Sequence, residues 1–532
     1  MNREARAWRV VAVVLVLLLA VALRMPGQRW GLPNSDHYLS YHPDEIFQLL
    51  PAFRFAQGDL NPRFFNYGSA YLYTVGIPAV ALGIVPGRAR FPDDLCRLYQ
   101  WGRLVTLMMA VASVAVLYLA LRRTDRRQAL LAALLLALCP LHVANSSYAT
   151  VDVPAAFWLV VAFLVVLRAG DRPRAGEGVL AGLAVGIATA TKYNMGLFLL
   201  PALAAPLLAA LRWWRWWWPA AVASGAVFGF VIGCPYFWTP EFLNGLLYEV
   251  QHARIGGTLA FVDTGSGWGY HLVRGLSTGL GYPLLAISAI GLAVALGRRT
   301  PAGMLSVVWL ICYLAVIGFG KERFIRYLVP LTPFLCVLAA GGLDWLARTC
   351  RARRAQWVGG AVAVAGLVLV ALYSFGQVVP FAWLDPRDEA WMQSEVPLRQ
   401  ARVGLVGPPW FSDPPVSPYN GGPLTKALFE QWNRANGERV VVTGWDVGAL
   451  AALTPHVFVL SDLVTRDQLR LATPEGLEAR RFVSALDSWY AERMELGPPP
   501  APFSWLGPGR RRAPPDWLYP SPRLTVYYSP RP

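Results

Sequence analysis

Asp44 and Glu45 stand side by side in the stretch YHPDEIFQ, shortly after the first apolar run of the chain. A carboxylate can act as general base on a hydroxyl group. Elsewhere the chain offers cations of the kind that hold phosphate: Lys192 in TATKYNMG, and Arg323 and Arg326 in GKERFIRY. The residue types therefore indicate a reaction in which a base activates an acceptor hydroxyl and cations stabilise a phosphate leaving group.

Membrane helices must position these residues. Of the 532 residues, 55% are hydrophobic and only 15% are charged, which is typical of an integral membrane protein. The formal charge of +16 comes from short Arg clusters between apolar runs, as on cytoplasmic loops, so nucleic acid is not an expected partner. The six cysteines show no metal-ligand spacing, so we expect neither a disulfide framework nor a zinc site.

Apolar runs divide the first part of the chain into about eleven predicted transmembrane helices. The first run has the basic start and apolar core of a signal peptide but no convincing cleavage site, so we interpret it as an uncleaved span. The predicted spans are 7–24, 102–121, 127–147, 153–168, 178–192, 195–211, 217–238, 278–297, 302–319, 326–347 and 357–376.

One further apolar stretch, 67–87, is predicted to lie at the membrane interface inside an external loop, 25–101. The N-terminal arginines place the start of the chain in the cytoplasm. If 67–87 does not cross the membrane, the cluster RRTDRR also lies on the cytoplasmic side, as the positive-inside rule prefers. If 67–87 crosses, this cluster lies outside. The transmembrane domain, 1–376, is then predicted to lie in the plasma membrane with its C-terminal end outside.

The section 377–532 is polar and rich in Pro and Gly. Its strand-like runs RVGLVG, RVVVTGW and HVFVLSD alternate with stretches of helical periodicity. We expect a small external α/β domain and then a Pro-rich tail, LGPPPAPFSWLGPGRRRAPPDWLYP. The predicted fold class is a mainly α, polytopic membrane protein with this domain added at the C-terminal end.

On this topology the candidate residues collect on the external side. Ionisable groups at membrane depth are costly and usually functional. Each of these residues also has a possible structural role. The carboxylates can start or cap a helix, and the cations can anchor a helix at the membrane interface. The residues concerned are Asp44, Glu45, Asp152, Lys192, Arg323 and Arg326.

Four motifs in order, HPDE, SSYATVDVP, GLAVGIATATKYN and RFIRYLVPLTPFLCVLAAGGL, resemble the protein O-mannosyltransferase-type families of C-type glycosyltransferases. The lipid A aminoarabinose transferases belong to the same group. The resemblance implies a polyprenyl-phosphate-sugar donor and inverting transfer on the external face. It matches Asp44 to the catalytic Asp, Glu45 to its acidic partner, and Asp152 to the acidic residue of the second external loop.

The same resemblance matches Lys192 and Arg326 to positions near the lipid phosphate. Arg323, Tyr327 and His42 are further candidates for substrate contact, although the sequence favours an ordinary solvated loop residue at His42. We expect no cofactor and no metal. The acceptor hydroxyl can belong to a glycan, a lipid or a protein; the repeated sugar-binding modules of eukaryotic O-mannosyltransferases are missing, which speaks against protein.

Two other classes of protein stay open. A lipid or glycan transporter would also have many spans and a few charges at membrane level, but it would carry them near the midplane. A non-catalytic envelope assembly protein would leave the acidic pair and Lys192 far apart. A transferase requires that they share one external cavity.

Overall fold

Helices dominate the chain up to Met392, so the predicted helical membrane fold is confirmed. The run Trp213, Trp214, Trp216, Trp217 and Trp218 is predicted to mark the membrane interface, and its first three residues lie outside the described residues. The computed structural model describes residues 3–86, 92–170, 173–208, 217–352, 356–392, 398, 400–498 and 500–528.

The helices of this part differ widely in length, and short 3₁₀ or π-helical segments precede some of them. The irregular segments used below are the 3₁₀ turns Tyr193–Phe198 and Ile325–Leu331 and the π-helical turn Tyr270–Gly275. The α-helices are α1 Arg3–Arg24, α2 Glu45–Leu49, α3 Pro51–Phe55, α4 Ala70–Ala81, α5 Asp93–Leu121, α6 Arg126–Leu138, α7 Pro140–Asn145, α8 Asp152–Ala169, α9 Ala175–Thr191, α10 Leu199–Leu208, α11 Trp217–Gly233, α12 Pro240–Ile255, α13 Gly267–Gly269, α14 Leu276–Arg298, α15 Pro301–Ile317, α16 Thr332–Ala352, α17 Gln356–Ala382 and α18 Pro386–Met392.

By length and apolar composition, six helical stretches of the described residues can cross a membrane, and the total of about eleven spans stays a prediction. The six are Ala7–Gln28, Asp93–Leu121, Asp152–Ala169, Gly267–Arg298, Ile325–Arg348 and Val358–Met392. Shorter apolar helices are Ala70–Ala81, Ala175–Thr191, Tyr193–Ala205, Trp217–Gly233 and Pro301–Ile317.

The predicted span 127–147 is two helices, because Pro140 cannot continue α6 and α7 starts there instead. The buried guanidinium of Arg24, at the end of α1, fills the break. It donates to the carbonyl oxygens of Ala137 at 3.1 Å and Leu136 at 3.3 Å, at the end of α6. A side chain thus satisfies backbone acceptors that a continuous helix would have paired internally.

Helix boundaries also differ from the predictions where polar residues continue a helix. Helix α5 begins at Asp93, inside the stretch predicted as loop, and α17 runs on to Ala382, through the predicted domain boundary at 376. Among the described residues of the stretch 67–87, the only helix is the 12-residue α4. At 1.5 Å per residue this helix is about 18 Å long, too short to cross a hydrocarbon core of about 30 Å.

Helices α9 and α11 pack with their backbones in direct contact. A Cβ atom added at Gly182 of α9 would lie 2.0 Å from a carbonyl oxygen of α11, and one added at Gly229 of α11 would lie 2.3 Å from a carbonyl oxygen of α9. Gly186 and Gly225 repeat the pattern at a spacing of four residues, which keeps the glycines on one face. This contact fixes the end of α9, where Lys192 lies.

The C-terminal part contains a five-stranded sheet with the order β2-β1-β3-β5-β4. The three predicted strand runs contain β1, β2 and β3, which pair in parallel, and β5 pairs antiparallel with β3 and β4. The strands are β1 Val403–Leu405, β2 Val440–Val442, β3 Val457–Ser461, β4 Glu492–Leu496 and β5 Leu524–Tyr528; the helices are α19 Lys426–Ala435, α20 Val447–Leu453, α21 Asp462–Leu469 and α22 Pro474–Trp489.

The Pro-rich stretch 496–520 is not a free tail, as the sequence suggested. It connects β4 to β5, which lie side by side in the sheet, so both of its ends are fixed. We call it the covering loop, because it lies back on the membrane helices. Gly507 packs against Tyr373 of α17, and the indole N–H of Trp517 donates to Gln377 Oε1 at 3.1 Å.

The α9–α11 contact predicts a strong position dependence for glycine substitutions. We expect Gly182→Val to lower the free energy of unfolding by at least about 1–3 kcal/mol, because the side chain would overlap the α11 backbone. Gly341→Val in α16 is the matched control, since a Cβ there meets nothing within 4 Å. Thermal unfolding of the detergent-solubilised chain measures both. Equal melting temperatures for the two variants would contradict the close contact.

Candidate functional site

Glu45 is completely buried and forms a heavily bonded ion pair with Arg103. Its Oε1 accepts from Arg103 Nε at 2.8 Å and from the backbone N–H of Ala149 at 2.7 Å. Its Oε2 accepts from Arg103 Nη2 and from the Ser40 hydroxyl, both at 2.7 Å. Arg103 also donates to the Trp30 carbonyl at 2.6 Å. The pair therefore ties the first loop to α5 and to the segment before α8.

These bonds change the role expected for Glu45. Burial by itself raises the pKa of its carboxyl group, but Arg103 and the N–H of Ala149 outweigh burial and hold the pKa below its ordinary value. An ionised carboxylate with all its neighbours in place and no exposed surface cannot reach a substrate. These contacts favour a positioning role for Glu45, and the catalytic role matched to it by resemblance stays a prediction.

Asp44 has the opposite environment, although it is the next residue along the chain. It precedes the first residue of α2, but its side chain makes no capping hydrogen bond. Its carboxylate lies 2.8 Å from Arg326 Nη1, an ion pair without the alignment of a hydrogen bond. The Asp44 side chain is 29% exposed, against 9% for Arg326. Asp44 is therefore accessible and close to a cation.

Asp152 and Lys192 form a second carboxylate–cation pair. Asp152 is the first residue of α8, directly after the N-cap position Val151, and its Oδ1 accepts from Lys192 Nζ at 2.6 Å. Lys192 follows the last residue of α9 and turns the chain into the 3₁₀ segment that begins at Tyr193. Both side chains are almost fully buried. Neither the capping alternative for Asp152 nor the snorkelling alternative for Lys192 describes this arrangement.

The two ion pairs meet at Tyr327. Lys192 Nζ lies 4.7 Å from the centroid of the Tyr327 ring, and Arg326 Cζ lies 5.9 Å from the same centroid. The structure therefore brings Asp44, Asp152, both cations and Tyr327 together, whereas Glu45 does not join them and a cavity shared by Asp44 and Lys192 stays a prediction.

Glu249, on α12, is an acidic residue within electrostatic reach of Lys192 and Arg326 that the sequence analysis missed. Burial raises the pKa of its carboxyl group to about 7, while Lys192 and Arg326 act in the lowering direction and Asp44 in the raising direction. The only available signal was an acidic residue in the polar segment between the seventh and eighth predicted spans, which is too common a feature to single out.

Asp516, in the covering loop, is a second residue that the sequence did not indicate. Its carboxylate accepts from the backbone N–H groups of Ile325 at 3.0 Å and Arg326 at 3.1 Å. Burial raises the pKa of this carboxyl group, against the influence of Arg326. The two bonds hold the start of the 3₁₀ segment that carries Arg326. The C-terminal part of the chain thus helps to position a residue of the site.

His42 is buried rather than solvated. Its Nδ1 accepts from the backbone N–H of Asp44 at 3.3 Å, and its ring lies 4.3 Å from the Tyr148 ring and 5.3 Å from the Tyr519 ring. Burial lowers the pKa of the imidazole to about 4, so the ring is neutral at neutral pH. It shapes the site beside Asp44 without adding charge.

Arg323 does not join the site, although only two residues separate it from Arg326. Its Nη1 donates to Thr264 at 2.6 Å, and its guanidinium lies 5.9 Å from the Tyr270 ring centroid. Its neighbour Glu322 accepts from the N–H of Thr258 at 3.0 Å. The extended residue Phe324 lies between the two arginines and their side chains diverge, so the prediction that both face one phosphate is not supported.

Comparisons with known proteins agree with this fold. Residues 100–238 match the family model described as dolichyl-phosphate-mannose-protein mannosyltransferase. The undecaprenyl phosphate-alpha-4-amino-4-deoxy-L-arabinose arabinosyl transferase of Pseudomonas aeruginosa is 27% identical over 342 residues, which are 60% of this chain. The match spans 58% of the length of that relative.

Two solved structures share the fold over most of the chain. ArnT from Cupriavidus metallidurans, bound to undecaprenyl phosphate, superposes with a TM-score of 0.52 at 18% identity and covers 98% of each chain. The oligosaccharyltransferase AglB from Archaeoglobus fulgidus, in complex with an inhibitory peptide and a dolichol-phosphate, gives 0.50 at 13% identity, over 93% of this chain and 74% of that one. The predicted resemblance to C-type glycosyltransferases of the mannosyltransferase and aminoarabinose transferase type is confirmed.

The buried pair predicts that Glu45 is required for folding. We expect Glu45→Gln to lower the free energy of unfolding by about 3–5 kcal/mol, because Arg103 would remain buried without its counter-charge. Asp59→Asn is the control, since it removes a carboxylate from the exposed Asp59–Arg63 pair of the same loop, worth about 1 kcal/mol or less. Thermal unfolding in detergent distinguishes them. A Glu45→Gln variant as stable as the wild type would refute the positioning role.

Proposed function

We propose that this protein is a membrane glycosyltransferase that transfers one sugar from a polyprenyl-phosphate donor to an acceptor hydroxyl, with inversion, on the external face of the plasma membrane. The observation that carries the proposal is the pair of adjoining carboxylate–cation contacts, Asp44–Arg326 and Asp152–Lys192. Such a site contains both a base and a binding place for an anion.

Asp44 is the general base of the proposed reaction. It is the accessible member of the acidic pair, and no helix cap occupies its side chain. The acceptor hydroxyl attacks the anomeric carbon from the face opposite the phosphate while Asp44 takes its proton. The bond between the anomeric carbon and the phosphate oxygen breaks, and the lipid phosphate leaves with the electron pair.

Arg326 and Lys192 stabilise the negative charge of the departing phosphate. Fixed cations in a site shielded from water are effective at this, because they need no reorganisation during the reaction. Both are already paired with carboxylates, so a phosphate that approaches Arg326 competes with Asp44 for the guanidinium. Donor binding then releases Asp44 toward the acceptor at the moment when a base is needed.

Asp152 holds the Lys192 ammonium in place, and Glu45 holds the segment that carries Asp44. Tyr327 keeps the two cations apart by offering its ring face to both, an attractive contact for each. These residues position the charged groups, and they do not contact the reacting atoms in this scheme.

The sidedness of the molecule supports the proposed location. Helices α5 and α16 lead from the site to the opposite end of the bundle. There Arg348 pairs with Asp125 at 2.9 Å and with Asp344 at 2.7 Å, beside the cluster RRTDRR. An Arg-rich end is typical of the cytoplasmic side. The relatives support the donor class, because ArnT was solved with undecaprenyl phosphate and AglB with a dolichol-phosphate.

The location of the site also bears on the other two classes of protein. The charged cluster lies at one end of the bundle. A transporter would instead place its charged residues near the midplane of the membrane. Lys192 and Arg326, the partner of Asp44, lie around one tyrosine ring, whereas an assembly protein would not require them to meet. Both observations favour the transferase.

Loss of the base predicts loss of transfer. We expect Asp44→Asn to lower transfer of radiolabelled sugar from polyprenyl-phosphate donors by about 10²–10⁴-fold in membrane vesicles, because an amide cannot accept the proton. Asp59→Asn, in the same loop, should keep wild-type transfer. Full activity of Asp44→Asn would remove the base assignment, and no transfer by the wild type from any such donor would overturn the proposed function.

Glu249 predicts how donor binding depends on pH. Above its pKa of about 7 the carboxylate becomes an anion beside Lys192 and Arg326 and repels a phosphate. We expect the affinity for a phosphodiester-linked polyprenyl-phosphate sugar to fall as pH rises through about 7, since this ligand does not itself titrate there.

The variant Glu249→Gln should bind the same donor equally well on both sides of that pH. Glu241→Gln is the matched control, on the exposed first turn of the same helix, and should keep the wild-type dependence. Titration of binding by fluorescence quenching measures all three proteins. A wild type without any pH dependence would contradict the placement of Glu249.

A further inference from the structure

A cavity of about 220 Å³ lies between the membrane helices and the covering loop, next to the ion pairs. The ends of α7, α14 and α17 form its walls, and residues of the covering loop form its roof. The side chains of the lining include His42, Asn145, Tyr148, Thr278, Gln377 and Trp517. Arg326 also lines the cavity, and it contacts Asp44.

The lining combines aromatic faces with a few polar groups, the pattern of a site for a small organic ligand. The Thr278 hydroxyl is buried and has no hydrogen-bond partner among the residues that the structure describes. Asn145 uses its amide N–H on the Leu141 carbonyl at 2.9 Å. The polar groups of the wall therefore include a hydroxyl that a ligand can satisfy.

Two of the three arginines in the lining are already neutralised, and the third, Arg523, is exposed. Arg510 donates to Asp462 through two nitrogens, at 3.0 and 2.5 Å, and to Ser521. Arg326 faces Asp44 at 2.8 Å. A phosphate beside Arg326 or Arg510 would have to break one of these pairs, and Asp516, also in the lining, would repel it, so the lining favours an uncharged polar ligand. The volume is below the roughly 300–1,000 Å³ of pockets that enclose drug-sized molecules, so it suits one ring rather than a peptide segment.

We propose that this cavity binds an uncharged sugar ring of a glycan acceptor, under a roof that the chain supplies from its own C-terminal part. This proposal rests on the proposed function and adds the class of acceptor. Arg326 borders the cavity whereas Lys192 does not, so the donor phosphate lies on the Lys192 side of Arg326 and the acceptor on the other. Asp44, in contact with Arg326, then lies between donor and acceptor.

Binding of simple sugars to the full-length chain tests this assignment. The probes are methyl glycosides of mannose, glucose, arabinose and N-acetylglucosamine, followed by saturation-transfer NMR in detergent. We expect at least one glycoside to bind the wild type and to bind about tenfold more weakly to Gln377→Leu, which removes a polar wall group. Thr278→Val should also weaken binding, because it removes the unpartnered hydroxyl without changing the size of the side chain.

Ser374→Ala is the matched control for Thr278→Val. Ser374 also has a buried hydroxyl without a partner among the described residues, but it does not line the cavity. Sugar binding should survive in this variant. Equal binding to the wild type and to both cavity variants would overturn the proposal, and so would the absence of binding by every glycoside.

Undecaprenyl phosphate separates this inference from the proposed function. We expect it to bind the wild type and the three variants alike, since none of the changes touches Lys192 or Arg326. A wild type that binds no undecaprenyl phosphate would count against the proposed function itself. Displacement of the glycoside by a saturating polyprenyl-phosphate sugar would show that the cavity holds the donor sugar and would overturn the acceptor assignment.

Discussion

The buried ion pair between Glu45 and Arg103 is the interaction on which the site depends. A carboxylate and a guanidinium without exposed surface are stable only when each finds a full set of partners. Here Ser40, Ala149 and Trp30 supply the remaining bonds. The pair thereby joins the first loop, α5 and the segment before α8, which are distant in sequence. Removing either charge would leave the other buried without compensation.

The same pair decides which way Asp44 faces. Successive residues of a helix turn by about 100° around its axis, so two neighbours at the start of α2 cannot point in one direction. With Glu45 held inward by Arg103, the side chain of Asp44 is left to face Arg326. A chemically similar pair of residues thus acquires two different roles, one inside the structure and one at an accessible surface.

Charge balance is the second constraint on the site. Each cation near Tyr327 has a carboxylate partner, and Glu249 adds an acid whose protonation changes near neutral pH. A balanced cluster is tolerated in an apolar protein, and it can exchange partners when an anion arrives. The covering loop contributes to this balance through Asp516, which holds the backbone of Arg326. The C-terminal part is therefore coupled to the membrane part through the site.

The sequence carries enough information to place some of these residues and not others. Hydropathy and charge asymmetry locate the helices, and sidedness then brings Asp44, Asp152, Lys192 and Arg326 to one end. The different environments of Asp44 and Glu45 depend on Arg103. This residue is 58 positions from Glu45 and lies within an apolar helix. Local composition records no such distant contact.

The covering loop escaped prediction for a related reason. A stretch rich in Pro and Gly indicates irregular structure, but not what it packs against. Strand β4, with the sequence ERMEL, is mostly charged and exposed, so neither it nor the pairing of β5 beside it could be recognised from alternation. Because β5 could not be recognised, the sequence did not show that the loop is fixed at its second end. The contact of Asp516 with the backbone of Arg326 could therefore not be predicted.

The most direct test of the central claim is a cryo-electron microscopy structure of the full chain in lipid nanodiscs with undecaprenyl phosphate. We expect the phosphate within ion-pair distance of both Lys192 and Arg326, with Asp44 moved away from the guanidinium. A phosphate bound instead at the Arg-rich opposite end, near Arg348, with the Asp44–Arg326 contact unchanged, would contradict the assignment of the site.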